Sequence, residues 1–471
     1  MRGHELEHAI QTVVQVFFPN EGYKRLDAAP EGGRFVLSDF DGGDFWGYVY
    51  EGTTMLARDR APLVDNGKRH RTQAAAAAVF RALEQLTGYS PPWGTLTGVR
   101  PAKILTEMAM DGHSLNLAAE YLRSSYLVQD DKVELAVRVA EAELKFLEMC
   151  GADEVGVYVG IPFCPSICAY CSFGSVEMGR VKSLVEPYLT ALLREIRFLG
   201  DILTRRKVAA VYVGGGTPAS LTAAQLEHLL GAIRQNFPGE YEFCVEAGRP
   251  DVLDADKLAA FRDHGVGRIA INCQSMRDDT LKRIGRGHSA DDFKRAFALA
   301  TDMGFTNINC DVIMGLPGED AEDAAYTFRE LAALAPASVT VHTLALKRAA
   351  RFNHCYGRYG GDYLSGPTGA MLALARSACC DMGLLPYYMY RQKNMVGNLE
   401  NVGYARRGFE SLYNHISMTE LRDVYAAGAG AVTKVIDPVT GYLRRAFNVK
   451  PLDEYITNVD EMIERKRRLI K

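Results

Sequence analysis

The chain has 471 residues, of which 48% are hydrophobic, so it is long enough for about two to four domains with their own cores. It carries 54 Lys and Arg against 58 Asp and Glu, a net charge of −4, which argues against nucleic acid as the main partner. The N-terminus has neither a signal-peptide nor a transit-peptide pattern, and no apolar run reaches membrane-spanning length. These features predict a cytoplasmic protein with no membrane partner, and we take a monomer as the default.

Residues 1–95 are predicted to form a small α+β domain. A helical pattern over residues 5–18 precedes three strand-like runs, and a second helix follows over residues 71–86. Amphipathic, charged segments then predict a helical connector over residues 96–150.

From residue 151 the pattern changes to short apolar strands that alternate with amphipathic helices. Six such units over residues 151–345 predict parallel strands with right-handed crossovers, and favour an incomplete (β/α)6 barrel. Periodicity alone leaves a doubly wound sheet open. Residues 346–471 are irregular and rich in Tyr and Arg, and are predicted to form a C-terminal domain that covers the barrel mouth and the substrate.

Three of the ten cysteines stand apart from the others. Most are scattered, as expected for reduced, buried thiols in a cytoplasmic protein. Cys164, Cys168 and Cys171, however, lie together in "GIPFCPSICAYCSFG", directly after the first barrel strand. A structural zinc site needs four ligands, whereas three thiolates suit a [4Fe–4S] cluster with one open iron. We therefore favour a cluster and keep zinc as the alternative.

Other polar residues follow the predicted strands. The turn "GGGTP" follows the second strand, Glu246 ends the third, Gln274 the fourth and Asp311 the fifth, while Arg286 lies in "IGRGH". Buried polar groups need partners, so this set predicts a ligand site at the carboxyl ends of the strands. For each of these residues, the alternative to a ligand contact is a role as a helix cap or in a structural salt bridge. This alternative is strongest for Arg286, which lies beyond a strand end and would then be exposed to solvent.

The spacing Cys-x3-Cys-x2-Cys, with Tyr170 before the third cysteine, resembles the signature of the radical S-adenosylmethionine (SAM) superfamily. The resemblance implies that the open iron binds the amino and carboxylate groups of SAM. It also implies that an electron from the cluster releases a 5′-deoxyadenosyl radical, and that Gly215, Gly216 and Thr217 contact the amino acid part of SAM.

The full order of motifs resembles the oxygen-independent coproporphyrinogen III oxidase family. "WGTLTGVRP", "VEAGRPD" and "YRQKN…GNLENVGYA" are similar to its HemZ-type branch, the coproporphyrinogen dehydrogenases. The resemblance implies oxidative decarboxylation of coproporphyrinogen III to protoporphyrinogen IX, two SAM molecules, and an electron donor of flavodoxin or ferredoxin type. By motif position it implies cofactor contacts for Tyr158, Tyr170, Gly215, Gly216, Thr217, Glu246, Gln274, Arg286, Asp311, Ala345 and Val432.

The chain departs from the established oxidases at two positions. Gly160 stands where they have a histidine, and Phe173 where they have a fourth cysteine. Neither difference affects the cluster or the SAM prediction, but both concern the decarboxylase activity. A haem chaperone on the same scaffold, a tetrapyrrole methyltransferase and a haem-opening enzyme are therefore alternatives.

A tetracarboxylate substrate needs cationic partners, and Arg binds carboxylates in a bidentate manner. The candidates follow the last barrel strand and are Lys347, Arg348, Arg351, Arg391 and Lys393. A solvated basic face is the alternative for each of them. The basic tail "ERKRRLIK" is predicted to be solvated, and His342 to be a core residue.

Overall fold

The computed structural model describes residues 1–470 apart from 20–23, 27, 29, 99, 152, 347–349, 351, 353–366 and 393–394. The chain divides into two compact units. The first contains the described residues of Met1–Glu141, Asp362–Gly369 and Met389–Glu400, and the second contains those of Ala142–Gly361, Ala370–Tyr388 and Asn401–Lys471. The domain boundaries that we placed near residues 95, 150 and 345 stay predictions.

The first unit begins, in chain order, with a helix, a three-stranded antiparallel sheet and a second helix. These elements are α1 (Glu7–Phe17), β1 (Arg34–Asp41), β2 (Asp44–Glu51), β3 (Thr54–Pro62) and α2 (Lys68–Thr87). Phe45 and Val49 point from β2 into the core beneath α2. A side chain at Gly47 would start 2.5 Å from the Ala78 carbonyl oxygen. The glycine and the alanine-rich helix therefore allow close packing of helix on sheet.

The first unit continues with three helices and a buried polar network. The helices are α3 (Pro101–Met110), α4 (Leu115–Tyr126) and α5 (Asp130–Met149), whose last residues belong to the second unit. The Trp93 indole donates to Glu400 Oε2 at 2.7 Å, and Lys132 Nζ donates to Glu400 Oε1 at 2.7 Å. Two of the motifs of the HemZ-type branch thus meet at Glu400.

Arg391, a candidate for binding the substrate, is buried in the first unit. Its guanidinium donates to the carbonyl oxygens of Leu96 and Asn398, and lies 5.3 Å from the centre of the Trp93 ring. Burial lowers the pKa of Arg391 to about 10. Its Nη1 and Nη2 are thus paired with the protein backbone, whereas its buried Nε has no partner in the described part of the chain. The other four candidates, Lys347, Arg348, Arg351 and Lys393, lie outside the described residues.

The second unit contains the six predicted parallel strands in sequence order. Its barrel elements are β4 (Glu154–Ile161), β5 (Phe163–Cys164), β6 (Val176–Glu177), α6 (Val185–Ile202), β7 (Lys207–Gly215), α7 (Ala223–Asn236), β8 (Glu242–Gly248), α8 (Ala255–Asp263), β9 (Arg268–Ile271), α9 (Asp278–Arg283), α10 (Ala290–Asp302), β10 (Asn307–Met314), α11 (Ala321–Leu334) and β11 (Ser338–Thr343). Strands β4, β7, β8, β9, β10 and β11 are parallel neighbours. The predicted incomplete (β/α)6 barrel is confirmed.

The C-terminal segment extends this sheet at both edges. Its elements are α12 (Thr368–Asp381), β12 (Leu385–Tyr390), β13 (Asn401–Ala405), α13 (Leu412–Thr419), β14 (Val424–Ala427), β15 (Val432–Ile436), β16 (Leu443–Phe447), α14 (Leu452–Thr457) and α15 (Val459–Ile470). The order of the eleven strands is β12-β13-β11-β10-β9-β8-β7-β4-β14-β15-β16. That residues 346–471 also cover the mouth stays a prediction.

Helix α13 closes the amino-terminal end of the barrel. Glu242, the first residue of β8, accepts hydrogen bonds from Ser411 Oγ at 2.9 Å and from the Leu412 and Tyr413 amides at 3.0 and 3.1 Å. Tyr413 then packs into the barrel, where its ring lies 4.7 Å from that of Tyr212. A ligand site must therefore lie towards the carboxyl ends of the strands.

The basic tail is only partly solvated, contrary to the prediction. Lys466 is 1% exposed and pairs with the fully buried Glu195 of α6 at 2.5 Å. Glu195 also accepts from Asn448, from the Tyr455 hydroxyl and from the Gly428 amide. The tail helix α15 is amphipathic, and its buried lysine holds it to the first barrel helix. Within the described chain, no helix is both long and apolar enough to cross a membrane.

Candidate functional site

The three cysteines lie on a loop that folds back on itself after β4. Strands β5 and β6 pair in parallel, so Cys164 lies beside Glu177. Cys171 Sγ is 3.8 Å from Ser175 Oγ. All nine cysteines in the described part of the chain are free thiols, as predicted, and Cys168 and Cys171 are only partly buried.

The three thiols fit a cluster better than a single metal ion. Burial raises the pKa of Cys164 and of Cys171, and the neighbouring Cys168 thiol raises both further, which shows that the sulfurs lie close together. Zinc needs four ligands around one point, whereas in an iron–sulfur cluster each thiolate binds its own iron.

A buried arginine fixes the cysteine loop. Arg249 is 4% exposed, and its Nη1 donates to Ser166 Oγ at 2.6 Å, inside the loop. Its Nε and Nη2 donate to Asp251 at 2.9 and 2.5 Å. The Ala169 amide donates to the Ile284 carbonyl at 2.9 Å. Arg249 and Asp251 have no role among the predictions from the sequence, although both lie in "VEAGRPD".

The glycine turn after β7 packs directly on the cysteine loop. The Gly216 amide donates to the Ile161 carbonyl at 2.7 Å, and the Thr217 amide to the Phe163 carbonyl at 2.8 Å. Thr217 Oγ1 lies 3.5 Å from Cys164 Sγ, and a Cβ on Gly216 would lie 2.7 Å from the Phe163 oxygen. The protein itself takes both of these amide donors.

Glu246 is held by groups from the preceding strand. Tyr212 Oη donates to Glu246 Oε1 at 2.5 Å and the Gly215 amide to Oε2 at 3.2 Å. Gly215 has φ +112°, a conformation that favours glycine. Burial, with a smaller contribution from the charge of Asp311, raises the pKa of Glu246 to about 7. The carboxyl is therefore poised to ionise when a cation comes close.

Tyr158 lines the same interior surface. Its ring stacks at 6.3 Å on Tyr212 and at 6.2 Å on Tyr413. Burial, together with the charge of Glu246, raises the pKa of Tyr158. The stack of three tyrosines separates the strand ends from the closed end of the barrel.

Gln274 and Arg286 have buried polar atoms with no partner in the described part of the chain. Gln274 follows β9 with φ +67°, a left-handed conformation that is unfavourable for glutamine, and its Oε1 is unpaired. Arg286 is 9% exposed, and its Nε is unpaired. The alternative that Arg286 is exposed to solvent is therefore wrong. Burial lowers the pKa of Arg286, but the neighbouring Tyr170 and Cys168 raise that pKa, which lies above its ordinary value. Such unpaired groups are expected where a ligand binds.

Asp311 faces the interior from β10. Its Oδ1 accepts from Asn309 Nδ2 at 2.8 Å, and its Oδ2 lies 3.6 Å from His342 Nε2. Burial raises the pKa of Asp311, but the hydrogen bond to His342 and the charge of His342 lower that pKa, which lies below its ordinary value. The side chain of His342, which is predicted to be a core residue, is 27% exposed. It lies beside Asp311, which is predicted to contact SAM.

The other residues that are predicted to contact the cofactors are Tyr170, Ala345 and Val432. Burial raises the pKa of Tyr170, which lies beside Arg286 and Cys168. Ala345 follows β11 in an isolated bridge, and Val432 begins β15 after the glycine-rich turn that extends from β14. The structure therefore brings the cysteine loop, the glycine turn and the polar strand-end residues together, and leaves Val432 on an outer strand.

The two positions that differ from the oxidases have different surroundings. Gly160 is the last residue but one of β4 and lies next to the C-terminal glycine turn. Its carbonyl accepts from the Tyr188 hydroxyl at 2.6 Å, and a Cβ at this position would lie 3.4 Å from the Ala427 oxygen. Phe173 is 74% exposed on the outside of the cysteine loop. The position of the fourth cysteine is thus open to solvent.

The chain shares sequence and fold with known proteins. The radical SAM superfamily model matches residues 158–331. The oxygen-independent coproporphyrinogen-III oxidase-like protein HemZ of Bacillus subtilis is 38% identical over 394 residues, 82% of this chain and 78% of that protein. The heme chaperone HemW of Bacillus subtilis is 28% identical over 309 residues, 64% of this chain and 76% of that protein.

A solved structure with the same fold is the coproporphyrinogen III oxidase HemN from Escherichia coli, described as a radical SAM enzyme. Its TM-score is 0.54 at 23% identity, over 68% of this chain and 73% of that one. The superfamily implies a [4Fe–4S] cluster and SAM as cofactors. The chain belongs to the radical SAM superfamily, in the oxygen-independent coproporphyrinogen III oxidase family and its HemZ-like branch.

Proposed function

We propose that the chain catalyses the oxygen-independent oxidative decarboxylation of coproporphyrinogen III to protoporphyrinogen IX. The names of the relatives HemZ and HemN support the substrate. The observation that carries the proposal concerns Gln274 and Arg286, two of the positions that the family implies. Gln274 Oε1 and Arg286 Nε are among the buried side-chain atoms that have no partner in the described part of the chain, and Arg286 lies near Cys168 of the cysteine loop. Unpaired buried groups cost stability, and a polar ligand such as SAM would satisfy them.

In this proposal Cys164, Cys168 and Cys171 hold the cluster and Arg249 keeps their loop in place. The set that contacts SAM consists of Tyr158, Tyr170, Gly215, Gly216, Thr217, Glu246, Gln274, Arg286, Asp311, Ala345 and Val432. The cluster and SAM together would supply one-electron chemistry that removes a hydrogen atom from a carbon of the substrate. Two SAM molecules, an electron donor of flavodoxin or ferredoxin type, a cytoplasmic location and a monomer belong to the same proposal.

Glu246 and the glycine turn together suit a cationic part of SAM. The carboxyl of Glu246 has a pKa of about 7 without a ligand, so an approaching cation would lower that pKa and ionise the group. The tyrosine stack closes the interior on the far side and helps to exclude water from the reacting groups.

The test is anaerobic reconstitution of the protein with iron and sulfide, followed by incubation with SAM, dithionite and coproporphyrinogen III. We expect 5′-deoxyadenosine and a tetrapyrrole that has lost two molecules of carbon dioxide, both measured by mass spectrometry. If 5′-deoxyadenosine forms but the substrate keeps its four carboxyl groups, the decarboxylase proposal is wrong and the radical SAM assignment stands.

A haem chaperone is the second candidate function. The similarity to HemW and the absence of the oxidase histidine and fourth cysteine, at Gly160 and Phe173, favour it. It predicts tight haem binding and SAM cleavage without a decarboxylated product. Titration of the reconstituted protein with haem, followed by absorbance, separates the two candidates.

A further inference from the structure

A buried histidine lies next to the arginine–aspartate pair that fixes the cysteine loop. The side chain of His288 is 0% exposed, and neither of its ring nitrogens has a hydrogen-bond partner in the described part of the chain. Its Nδ1 lies 3.8 Å from Asp251 Oδ1, and Asp251 pairs in turn with Arg249. Unpaired buried polar atoms cost stability, so two of them on one ring at this place point to a role besides packing.

The residues on either side of His288 hold it in this position. A Cβ at Gly287 would lie 2.8 Å from Arg249 Nη2 and 2.9 Å from Asp251 Oδ2, so the backbone here packs directly on the pair. Ser289, the next residue, caps helix α10 with its side chain. The histidine is therefore placed by a closely packed turn before it and by a capped helix after it.

Asp251 and Arg249 connect the histidine to the loop that carries the three thiols. The two oxygens of Asp251 accept from Arg249 Nε at 2.9 Å and from Arg249 Nη2 at 2.5 Å, and Arg249 Nη1 donates to Ser166 Oγ at 2.6 Å. Ser166 lies between Cys164 and Cys168 in the sequence. Because a bidentate pair fixes the plane of the guanidinium, the position of the Asp251 carboxylate determines where Arg249 holds the loop.

The surroundings keep the imidazole of His288 neutral. Burial lowers the pKa of His288, Asp251 raises it in part, and the charges of Arg286 and Arg249 lower it again, so the pKa lies below its ordinary value. A neutral imidazole carries its proton on one nitrogen only, and a carboxylate favours the proton on the nitrogen that faces it. His288 therefore presents an N–H group at Nδ1, without a full charge, to Asp251.

We propose that His288 is a positioning residue for the iron–sulfur cluster. Its Nδ1–H attracts the carboxylate of Asp251, Asp251 orients Arg249, and Arg249 holds the cysteine loop in the form that retains the cluster. The inference rests on the proposed function in one respect, namely that the three cysteines hold a cluster. It does not depend on the substrate. Residues that orient metal ligands from a distance typically change metal retention about tenfold or more.

The experiment measures by absorbance how fast the anaerobically reconstituted protein loses iron to an excess of a ferrous-iron chelator. His288→Asn keeps an N–H group close to the place of Nδ1, His288→Gln moves the N–H group to the place of Nε2, and His288→Phe removes both nitrogens but keeps a ring. The matched control is His415→Phe, because His415 is also a buried histidine with an unpaired Nδ1 but lies on α13 at the closed end of the barrel. Urea unfolding of the metal-free protein is measured for every variant.

We expect His288→Phe and His288→Gln to lose iron about tenfold faster than the wild type, and His288→Asn and His415→Phe to lose it at the wild-type rate. In the metal-free protein, His288→Phe should not lower the free energy of unfolding, because the change removes two unpaired buried nitrogens. Faster loss of iron without loss of stability is the result that a purely structural role would not give.

Loss of iron at the wild-type rate in His288→Phe would overturn the inference, and so would equal rates in His288→Asn and His288→Phe. Faster loss of iron that is accompanied by a less stable metal-free protein would overturn it as well, because the histidine would then support the fold and not the loop. A wild type that takes up no iron would contradict the proposed function together with this inference. A wild type that retains iron but does not decarboxylate coproporphyrinogen III would contradict the proposed function alone.

Discussion

Cys168 is the middle thiol of the cysteine loop and is only partly buried. We expect Cys168→Ala to take up much less iron and sulfide than the wild type, because the cluster needs three thiolate ligands and the variant has only two. Cleavage of SAM should fall below detection. Iron and sulfide analysis after anaerobic reconstitution measures the effect.

The matched control is Cys380→Ala, which removes an exposed thiol from α12. This variant should reconstitute like the wild type. If Cys168→Ala retained the full amount of iron, the assignment of the three cysteines to the cluster would be wrong.

Gln274 combines backbone strain with an unpaired buried atom, so its side chain costs stability in the free protein. We expect Gln274→Gly to raise the free energy of unfolding by about 1 kcal/mol, because glycine adopts φ +67° without strain. The same change should weaken SAM binding at least about tenfold, since one lost hydrogen bond to a charged ligand is worth that much. Urea unfolding and calorimetric titration with SAM measure the two effects.

Ala335→Gly is the control, since Ala335 also has a left-handed φ, +50°, but caps the far end of α11. It should be slightly stabilising and leave SAM binding unchanged. A Gln274→Gly variant that is both less stable and normal in SAM binding would assign a purely structural role to the glutamine.

Among the elements, helix α15 depends on one buried ion pair. We expect Lys466→Met to lower the free energy of unfolding by about 3 to 5 kcal/mol, because it leaves the Glu195 carboxylate buried without a counter-charge. Arg467 is exposed one residue further along the same helix, and Arg467→Met should change the free energy of unfolding by less than about 0.5 kcal/mol. Urea unfolding near neutral pH compares the two, and equal effects would contradict the role of the pair.

The turn between β14 and β15 depends on a glycine that touches the first barrel strand. A Cβ at Gly428 would lie 2.6 Å from the Gly160 oxygen and 2.9 Å from the Tyr188 hydroxyl, and φ is +108°. We expect Gly428→Ala to cost about 3 kcal/mol. Gly430→Ala has a similar φ of +71°, but its nearest neighbour is 3.5 Å away, so it should cost only about 1 kcal/mol. Thermal unfolding that ranks them in the opposite order would refute the close contact.

The elements that were predictable from the sequence are those whose signal is local. Strand β4 is buried on both faces and therefore appears as a continuous apolar run. Helices α7, α10 and α11 each begin with a capping box that can be found from the spacing of two residues. The cysteine spacing and the polar residues at the strand ends are signals of the same kind.

The missed features join residues that are far apart in sequence. Arg249 reaches Ser166 across 83 positions, and Lys466 reaches Glu195 across 271. Periodicity places Arg249 after a strand and Lys466 on an amphipathic helix, but it does not reveal which partner either meets. Charge alone therefore predicts a solvated basic tail, and it makes Arg391 a candidate for the substrate with a solvated basic face as the alternative.

For the second unit as a whole, His415 makes stability depend on pH. The side chain is 5% exposed on α13, stacks on Phe146 at 4.8 Å and meets Tyr387 at 5.3 Å. Burial lowers the pKa of His415 to about 4. Between its ordinary pKa of about 6.5 and about 4 the unfolded chain binds a proton that the folded chain does not, so stability falls as the pH falls through this window.

This histidine alone should cost about 2 kcal/mol of unfolding free energy between pH 7 and pH 5. We expect His415→Phe, which keeps an aromatic ring against Phe146, to reduce the fall in stability over this interval by that amount. Urea unfolding at several pH values measures it, with His228→Gln, a change at an exposed histidine on α7, as the control. If the free energy of unfolding of the wild type and of His415→Phe fell equally over this pH interval, the prediction would be wrong. The imidazole of His415 would then be protonated in the folded protein without cost, as a solvated imidazole is.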